Sequence, residues 1–157
     1  MSFPEVGLLA PNFSLLNQRN EMVELSTFKN RCNVVVYFYP KAATPGCTTQ
    51  ACGIRDYRKR FEELNTIVLG VSPDSPKKLQ QFDVKYELGY ELLADEGHLV
   101  AESYGVWGLK KFMGKEFMGV LRTSFIINTD GILVHIIDKV NTKTHNDVLV
   151  NYIGKGI

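Results

Sequence analysis

The sequence contains no apolar run that approaches the roughly 20 residues needed for a membrane-spanning helix. It also carries little excess charge, since 18 Lys and Arg against 17 Asp and Glu give a formal net charge of +1. So small a charge gives no electrostatic basis for binding nucleic acid or an anionic membrane. The first residues, MSFPEVGLLAPNF, lack a basic start followed by an apolar core, which argues against a signal peptide. We therefore expect a cytoplasmic protein without nucleic acid or membrane partners.

Cysteine is scarce, and its pattern argues against several kinds of site. Three cysteines in 157 residues are an odd number, which disfavours a disulfide framework, and structural disulfides are rare in the cytosol. Zinc usually requires closely spaced cysteine pairs with further ligands nearby, whereas His98, His135 and His145 are scattered. The C-x-x-C pair of disulfide oxidoreductases is missing, as are phosphate-loop and dinucleotide-binding glycine motifs. No metal and no cofactor is expected, which leaves buried packing or thiol chemistry for the cysteines.

Buried strands alternate with helices in the first half of the chain. The run from Val34 to Tyr39 is continuously β-branched or aromatic, which is typical of a strand buried on both faces. Helical spacing of apolar residues follows over 45–65, and a second buried strand is predicted over 66–74. Ser75 and Pro76 predict the cap and first position of the next helix.

The remaining segments complete an α/β pattern. We predict an N-terminal hairpin in PNFSLLNQRNEMVEL, a short strand in YELLAD, a short helix in GHLVAESYGV, a hairpin in RTSFIINTDGILVHIIDK and a final helix in THNDVLVNYIGKG. WGLKKFMGKEFMG, with its three glycines, is predicted to be an irregular surface loop. Helices between buried strands imply parallel pairing, and the later hairpin adds antiparallel strands. The expectation is one α/β domain over 1–157, with a mixed central sheet flanked by helices and an N-terminal β-hairpin; the thioredoxin-like arrangement is one known example.

The segment PKAATPGCTTQAC (40–52) places a thiol at the predicted start of a helix. Thr44 is a candidate cap, Pro45 takes the first helical position, and Cys47 the third. First-turn amides lack partners within the helix and favour an anion, either a thiolate or the oxygen of a bound substrate. A small buried side chain at a helix start is the alternative interpretation.

A reactive thiol at this position requires a cation as well. A free thiol has a pKa of about 8.5, and lowering it to about 6 takes roughly 3.4 kcal/mol. A helix terminus supplies about 0.3–1 kcal/mol, rising to about 2 in favourable geometry. Arg122 is the candidate cation because it opens the predicted strand RTSFIIN, at a sheet end where ligands bind in α/β folds. A solvated charge at a strand end is the alternative.

Cys52 falls on the charged face of the predicted helix, where packing is a weak explanation for a cysteine. Five residues along an ideal helix separate two Cα atoms by about 8.6 Å, whereas a disulfide needs about 4.4–6.8 Å. Cys47 and Cys52 can therefore pair only after local unwinding, which Gly53 favours through its low helix propensity. Cys32 is predicted to be an ordinary, partly buried thiol, with a role as alternative resolving cysteine left open.

The same segment resembles a known family. YPKAATPGCTTQAC is similar to the peroxiredoxin signature P-x-x-x-T-x-x-C, filled here by Pro40, Thr44 and Cys47. TPGCTTQACGIRD resembles the bacterioferritin comigratory protein (Q-type) subfamily, as do LLADEGHLVAESYGVWG and RTSFIINTDG. The resemblance runs over about residues 7–153, nearly the whole chain, and implies a thioredoxin-like fold.

The resemblance implies a thiol-dependent peroxidase that reduces hydrogen peroxide and organic hydroperoxides in antioxidant defence. Cys47 would be the peroxidatic cysteine that becomes a sulfenic acid. Thr44 would hydrogen-bond the thiolate and the peroxide, Pro40 would shield the site from water, and Arg122 would be the active-site arginine. Cys52 would resolve the sulfenic acid to an intramolecular disulfide, which thioredoxin or a similar dithiol reduces. The subfamily implies a monomer, with a dimer as the alternative.

Two places depart from the subfamily pattern. Gly89 and Tyr90 stand where a proline and a phenylalanine are common, and Ala42 or Ala43 stands where aspartate is often found. We expect these differences to affect substrate entry rather than the chemistry. Two other functions stay open at this point: a thiol–disulfide oxidoreductase on the same fold, and a non-catalytic redox sensor or holdase that exposes surface when the two thiols pair.

Overall fold

The computed structural model describes residues 2–157, and within them lie nine β-strands, five α-helices and one short 3-10 helix at Leu25–Phe28. None of the helices in this part of the chain has the length and apolar character needed to cross a membrane. The strands are β1 (Ser14–Asn17), β2 (Met22–Glu24), β3 (Asn33–Phe38), β4 (Thr66–Ser72), β5 (Glu91–Ala94), β6 (Trp107–Phe112), β7 (Lys115–Val120), β8 (Thr123–Ile127) and β9 (Leu133–Ile137). The helices are α1 (Pro45–Asp56), α2 (Arg58–Glu63), α3 (Pro76–Tyr86), α4 (Leu99–Ser103) and α5 (His145–Ile153).

Seven strands form one mixed sheet in the order β2-β1-β5-β4-β3-β8-β9. Strands β3, β4 and β5 are parallel, as the helices between them predict. Strand β1 pairs antiparallel with both β2 and β5, and β8 pairs antiparallel with β3 and β9. The predicted N-terminal hairpin and the later hairpin are therefore both present.

Strand β3 lies at the centre of the molecule and is buried on both faces. Val35 and Tyr37 point into an apolar cluster that also contains residues of α1, α2, α3 and α5. Val34, Val36 and Phe38 point into a second cluster that contains residues of α4 and the 3-10 helix. Helices cover both faces of the sheet, so every side chain of β3 after Asn33 is buried, whichever face it points to.

The prediction of one helix over 45–65 is wrong at a single point. Tyr57 separates α1 from α2 with φ −98° and ψ 8°. Its hydroxyl donates a hydrogen bond of 2.7 Å to Oδ1 of Asp147 on α5. The apolar spacing runs through this break because the Phe61 amide still bonds to the Tyr57 carbonyl, so the pattern alone does not reveal it.

The prediction of an irregular loop for WGLKKFMGKEFMG is also wrong. These residues form the β6–β7 hairpin, which stands outside the main sheet and pairs from Trp107 with Val120 to Phe112 with Lys115. Met113 and Gly114 at its tip have φ values of 52° and 78°, as a two-residue hairpin turn requires. Most side chains on both faces of the hairpin are exposed, so no alternation of apolar and polar residues marks the strands.

Candidate active site

The first of the predicted site residues lie in the connection from β3 to α1. Pro40 follows the buried end of β3 and is half-buried. Thr44 occupies the position before the helix, with φ −79° and ψ 154°, and Pro45 is the first helical residue. These positions are as predicted, but the side-chain cap is not formed: the Thr44 hydroxyl accepts no hydrogen bond from a first-turn amide, and it donates to the Lys41 carbonyl at 2.8 Å. Cys47 follows in the first turn of α1.

A buried carboxylate holds the loop that precedes α1. Oδ2 of Asp74 accepts hydrogen bonds from the Ala42 amide at 2.7 Å and from the Ser72 hydroxyl at 2.9 Å. The next loop residue, Ala43, adopts a left-handed conformation with φ 65°, which costs energy for a residue other than glycine. Sequence reasoning missed Asp74, although a charged residue two positions after the end of the buried strand β4, which pairs with β3, was a usable signal.

The site has a cation in direct contact with the thiol. The side chain of Cys47 is only 1% exposed, and Nη2 of Arg122 donates to its sulfur at 3.3 Å. Arg122 reaches this point because β8 runs antiparallel to β3, which places the start of β8 beside the end of β3. Two unit charges about 4 Å apart near a protein surface interact by about 4 kcal/mol, more than a helix terminus supplies. The Arg122 guanidinium is thus the charge partner that the helix terminus alone does not supply.

Behind Arg122 lies a chain of buried polar side chains that the sequence did not reveal. Nη1 of Arg122 donates to Oε1 of Gln50 at 2.6 Å. Nε2 of Gln50 lies 3.2 Å from Nδ1 of His145, and Nε2 of His145 lies 2.6 Å from the Ser124 hydroxyl. Burial lowers the pKa of His145 to about 4, and the charge of Arg122 contributes. The imidazole at the start of α5 is therefore neutral at physiological pH.

A second polar contact fastens the middle of α1 to the sheet. The Tyr90 hydroxyl donates to the Ala51 carbonyl at 3.2 Å, and the Tyr37 hydroxyl lies 2.7 Å from that of Tyr90. Burial raises the pKa of both tyrosines well above the usual value, so both hydroxyls stay protonated. Tyr90 thus touches the underside of the helix segment between the two thiols, directly before Cys52.

The other two cysteines lie in different surroundings. Cys52 is half-buried and packs against the apolar cluster, so its helix face is partly covered. Helix α1 continues without a break from Cys47 to Cys52, and neither thiol is in a disulfide. Cys32 precedes the first residue of β3 at the opposite end of the strand, about 20 Å from the site at roughly 3.3 Å per residue. Burial raises the pKa of the Cys32 thiol.

The β6–β7 hairpin contributes a second cation near the site, Lys110. Lys110 is half-buried, and its ammonium group donates to the Val120 carbonyl at 3.0 Å. Burial lowers the pKa of Lys110, and the charge of Arg122 lowers it further. Several apolar side chains of the hairpin are exposed: Leu109, Phe112, Met113, Phe117 and Met118.

The chain is similar to proteins of known family over nearly its whole length. The sequence model of the AhpC/TSA family matches residues 6–136. Peroxiredoxin Bcp of Escherichia coli (strain K12) is 48% identical over 149 residues, covering 95% of each chain. Peroxiredoxin Bcp of Bacillus subtilis (strain 168) is 45% identical over 141 residues, covering 90% of this chain and 89% of the relative.

Solved structures show the same relationship. A mutant of PrxQ from Xylella fastidiosa has a TM-score of 0.92 at 26% identity and covers 99% of this chain and 98% of its own. Peroxidoxin BcpB from Mycobacterium tuberculosis has a TM-score of 0.86 at 33% identity and covers 97% of both chains. The predicted thioredoxin-like α/β fold is confirmed, and the chain belongs to the AhpC/TSA family as a thiol peroxidase of the bacterioferritin comigratory protein (Q-type) peroxiredoxins.

Proposed function

We propose that Cys47 is the peroxidatic cysteine and reduces hydrogen peroxide and organic hydroperoxides. The supporting observation is the 3.3 Å contact between Nη2 of Arg122 and Sγ of Cys47 in the first turn of a helix. The thiolate attacks one peroxide oxygen, and the O–O bond breaks as the S–O bond forms. The departing oxygen takes a proton and leaves as water or an alcohol, while Cys47 becomes a sulfenic acid.

Thr44 and Pro40 have supporting roles in this step. Because the Thr44 hydroxyl proton is engaged by the Lys41 carbonyl, its oxygen is left to accept a hydrogen bond from the peroxide O–H. Thr44 therefore orients the peroxide and does not donate to the thiolate in this conformation. Pro40 has no backbone N–H that could donate a hydrogen bond to water. It therefore limits hydration at the entrance of the loop.

Cys52 then resolves the sulfenic acid in a second step. Its thiolate attacks the Cys47 sulfur, the S–O bond breaks as the Cys47–Cys52 disulfide forms, and the departing hydroxide takes a proton and leaves as water. Because the intact helix holds the two Cα atoms about 8.6 Å apart, α1 must unwind between them. Thioredoxin or a similar dithiol then reduces the disulfide. We propose that this cycle runs in a monomer in the cytoplasm, where such dithiols are kept reduced.

Three serine variants test the assignment. Cys47→Ser should abolish peroxide reduction, because the nucleophile is lost. Cys52→Ser should form the sulfenic acid once, at the wild-type rate, but should not be recycled by thioredoxin. Cys32→Ser is the matched control and should retain both steps, since its sulfur lies at the far end of β3.

Stopped-flow mixing of the reduced protein with hydrogen peroxide, followed by a coupled thioredoxin assay, measures each step. Full activity in Cys47→Ser would refute the mechanism. Peroxide reactivity close to that of free cysteine would instead identify a redox sensor, and loss of recycling in Cys32→Ser would move the resolving role to Cys32.

A further inference from the structure

The buried histidine at the start of α5 lies at the far end of the polar chain that leads to the thiol. Gln50, Ser124 and His145 are at most 2% exposed, so water does not replace any of their contacts. The hydrogen bonds run from Arg122 through Gln50 to His145 and end at Ser124. Each member is therefore restricted by the donors and acceptors of its neighbours.

The direction of these hydrogen bonds follows from the chemistry of the first member. A guanidinium only donates, so the Gln50 atom at 2.6 Å from Arg122 must be its oxygen. The Gln50 amide nitrogen then faces His145 and donates to Nδ1, which must be unprotonated. The remaining proton of the neutral imidazole lies on Nε2 and points at the Ser124 hydroxyl, 2.6 Å away.

This tautomer of His145 fixes the orientation of the Gln50 amide. If Nδ1 carried the proton, it would face the two amide hydrogens of Gln50, and the amide would have to turn over. The amide nitrogen would then face the guanidinium, donor against donor, and the 2.6 Å hydrogen bond that holds Arg122 would be lost. The orientation of Arg122 above Cys47 thus depends on an acceptor at Nδ1 of His145.

We propose that His145, acting through Gln50, is a positioning residue that holds Arg122 against the Cys47 sulfur. This inference rests on the proposed role of Arg122 in peroxide reduction. His145 itself touches neither the thiol nor a substrate, and its contribution is the acceptor at Nδ1 together with the anchor that Ser124 gives to Nε2.

Two matched substitutions separate the two halves of the imidazole. In His145→Asn, the side-chain oxygen stands close to the position of Nδ1 and retains the acceptor for Gln50. In His145→Gln, the amide reaches the position of Nε2 and retains the contact with Ser124, but no acceptor stays near Gln50. We expect His145→Asn to keep the second-order rate with peroxide within about threefold, whereas His145→Gln lowers it about 10- to 100-fold, as for a displaced catalytic group.

Stopped-flow peroxide reduction gives the rates, and urea unfolding of both variants gives their stabilities. A purely structural role predicts equal rate losses, or losses that follow stability, and either result would overturn the proposal. The wild-type protein gives an independent test, because ¹⁵N NMR of the imidazole reports its tautomer at neutral pH. A proton on Nε2 supports the proposal, and a proton on Nδ1 refutes it even if neither variant folds.

Arg122→Met measured in parallel separates this inference from the proposed function. If Arg122→Met reacts as fast as wild type, the proposed role of Arg122 is refuted, and so is the proposed positioning role of His145. If Arg122→Met is slow while His145→Gln reacts at the wild-type rate, only the role of His145 is wrong.

Discussion

Acid should destabilise the folded protein through His145. Burial beside Arg122 lowers the pKa of this imidazole to about 4, from its usual value of 6.5. As the pH falls below about 6.5, the histidine of the unfolded chain takes up a proton while that of the folded chain does not. Proton binding therefore lowers the free energy of the unfolded state relative to that of the folded state. This contribution to stability is fully present above about pH 6.5 and is lost once the pH reaches about 4.

The size of the effect follows from the difference between the two pKa values. A difference of about 2.5 units corresponds to about 3 kcal/mol, at about 1.36 kcal/mol per unit. Within the window, one extra proton bound by the unfolded state gives a slope of about 1.4 kcal/mol per pH unit. Against a typical free energy of unfolding of about 5–15 kcal/mol, the loss is large enough to measure.

Urea unfolding of the wild-type protein and His145→Asn at several pH values between 7 and 4 isolates this group. Carboxylates titrate in both proteins, so the difference between the two free energies of unfolding reports His145 alone. The variant should be less stable than the wild type at pH 7. On going to pH 4, the wild-type protein should lose about 3 kcal/mol more of its free energy of unfolding than the variant does. A difference that does not change with pH would show that the imidazole is not held neutral by burial.

Two further predictions concern side chains that pack beneath α1. Tyr90→Phe removes the bond to the Ala51 carbonyl and leaves the Tyr37 hydroxyl unpaired, which should cost about 1–3 kcal/mol. It should also speed the formation of the Cys47–Cys52 disulfide in rapid-quench experiments, and an unchanged or slower rate would contradict the attachment of α1. Gly70→Ala should cost about 1–3 kcal/mol in urea unfolding, because a Cβ there would lie 2.9 Å from the Tyr37 ring. Gly97→Ala, where the nearest side-chain atom is 3.9 Å away, is the control, and an equal cost at both positions would refute the steric reason.

Local patterns predicted the elements that carry the thiols. The run from Val34 to Tyr39 is apolar without interruption because β3 is buried on both faces. Thr44, Pro45 and Cys47 occupy the expected positions because proline is restricted to the first turn of a helix. Each of these patterns lies within a few consecutive residues, so it can be recognised from the sequence alone.

The missed features depend on contacts between distant parts of the chain. Gln50 and His145 are 95 residues apart in sequence, and neither has a neighbour that marks it as part of a network. The β6–β7 hairpin has no buried face to give its strands an alternating pattern. Tyr57 breaks the helix without changing the apolar spacing. Tertiary contacts determine all three, and no short window of sequence contains them.

Because α1 is unbroken between the two cysteines, the proposed cycle includes a competition between helix unwinding and a second oxidation of Cys47. After Cys47 becomes a sulfenic acid, the helix must unwind before Cys52 can reach it, and a second peroxide molecule competes during that interval. A second oxidation yields a sulfinic acid, which the dithiol does not reverse. The peroxide concentration that the enzyme survives is therefore set by how fast one helix turn opens, and the Tyr90 hydroxyl, bonded to the carbonyl beside Cys52, lowers that tolerance.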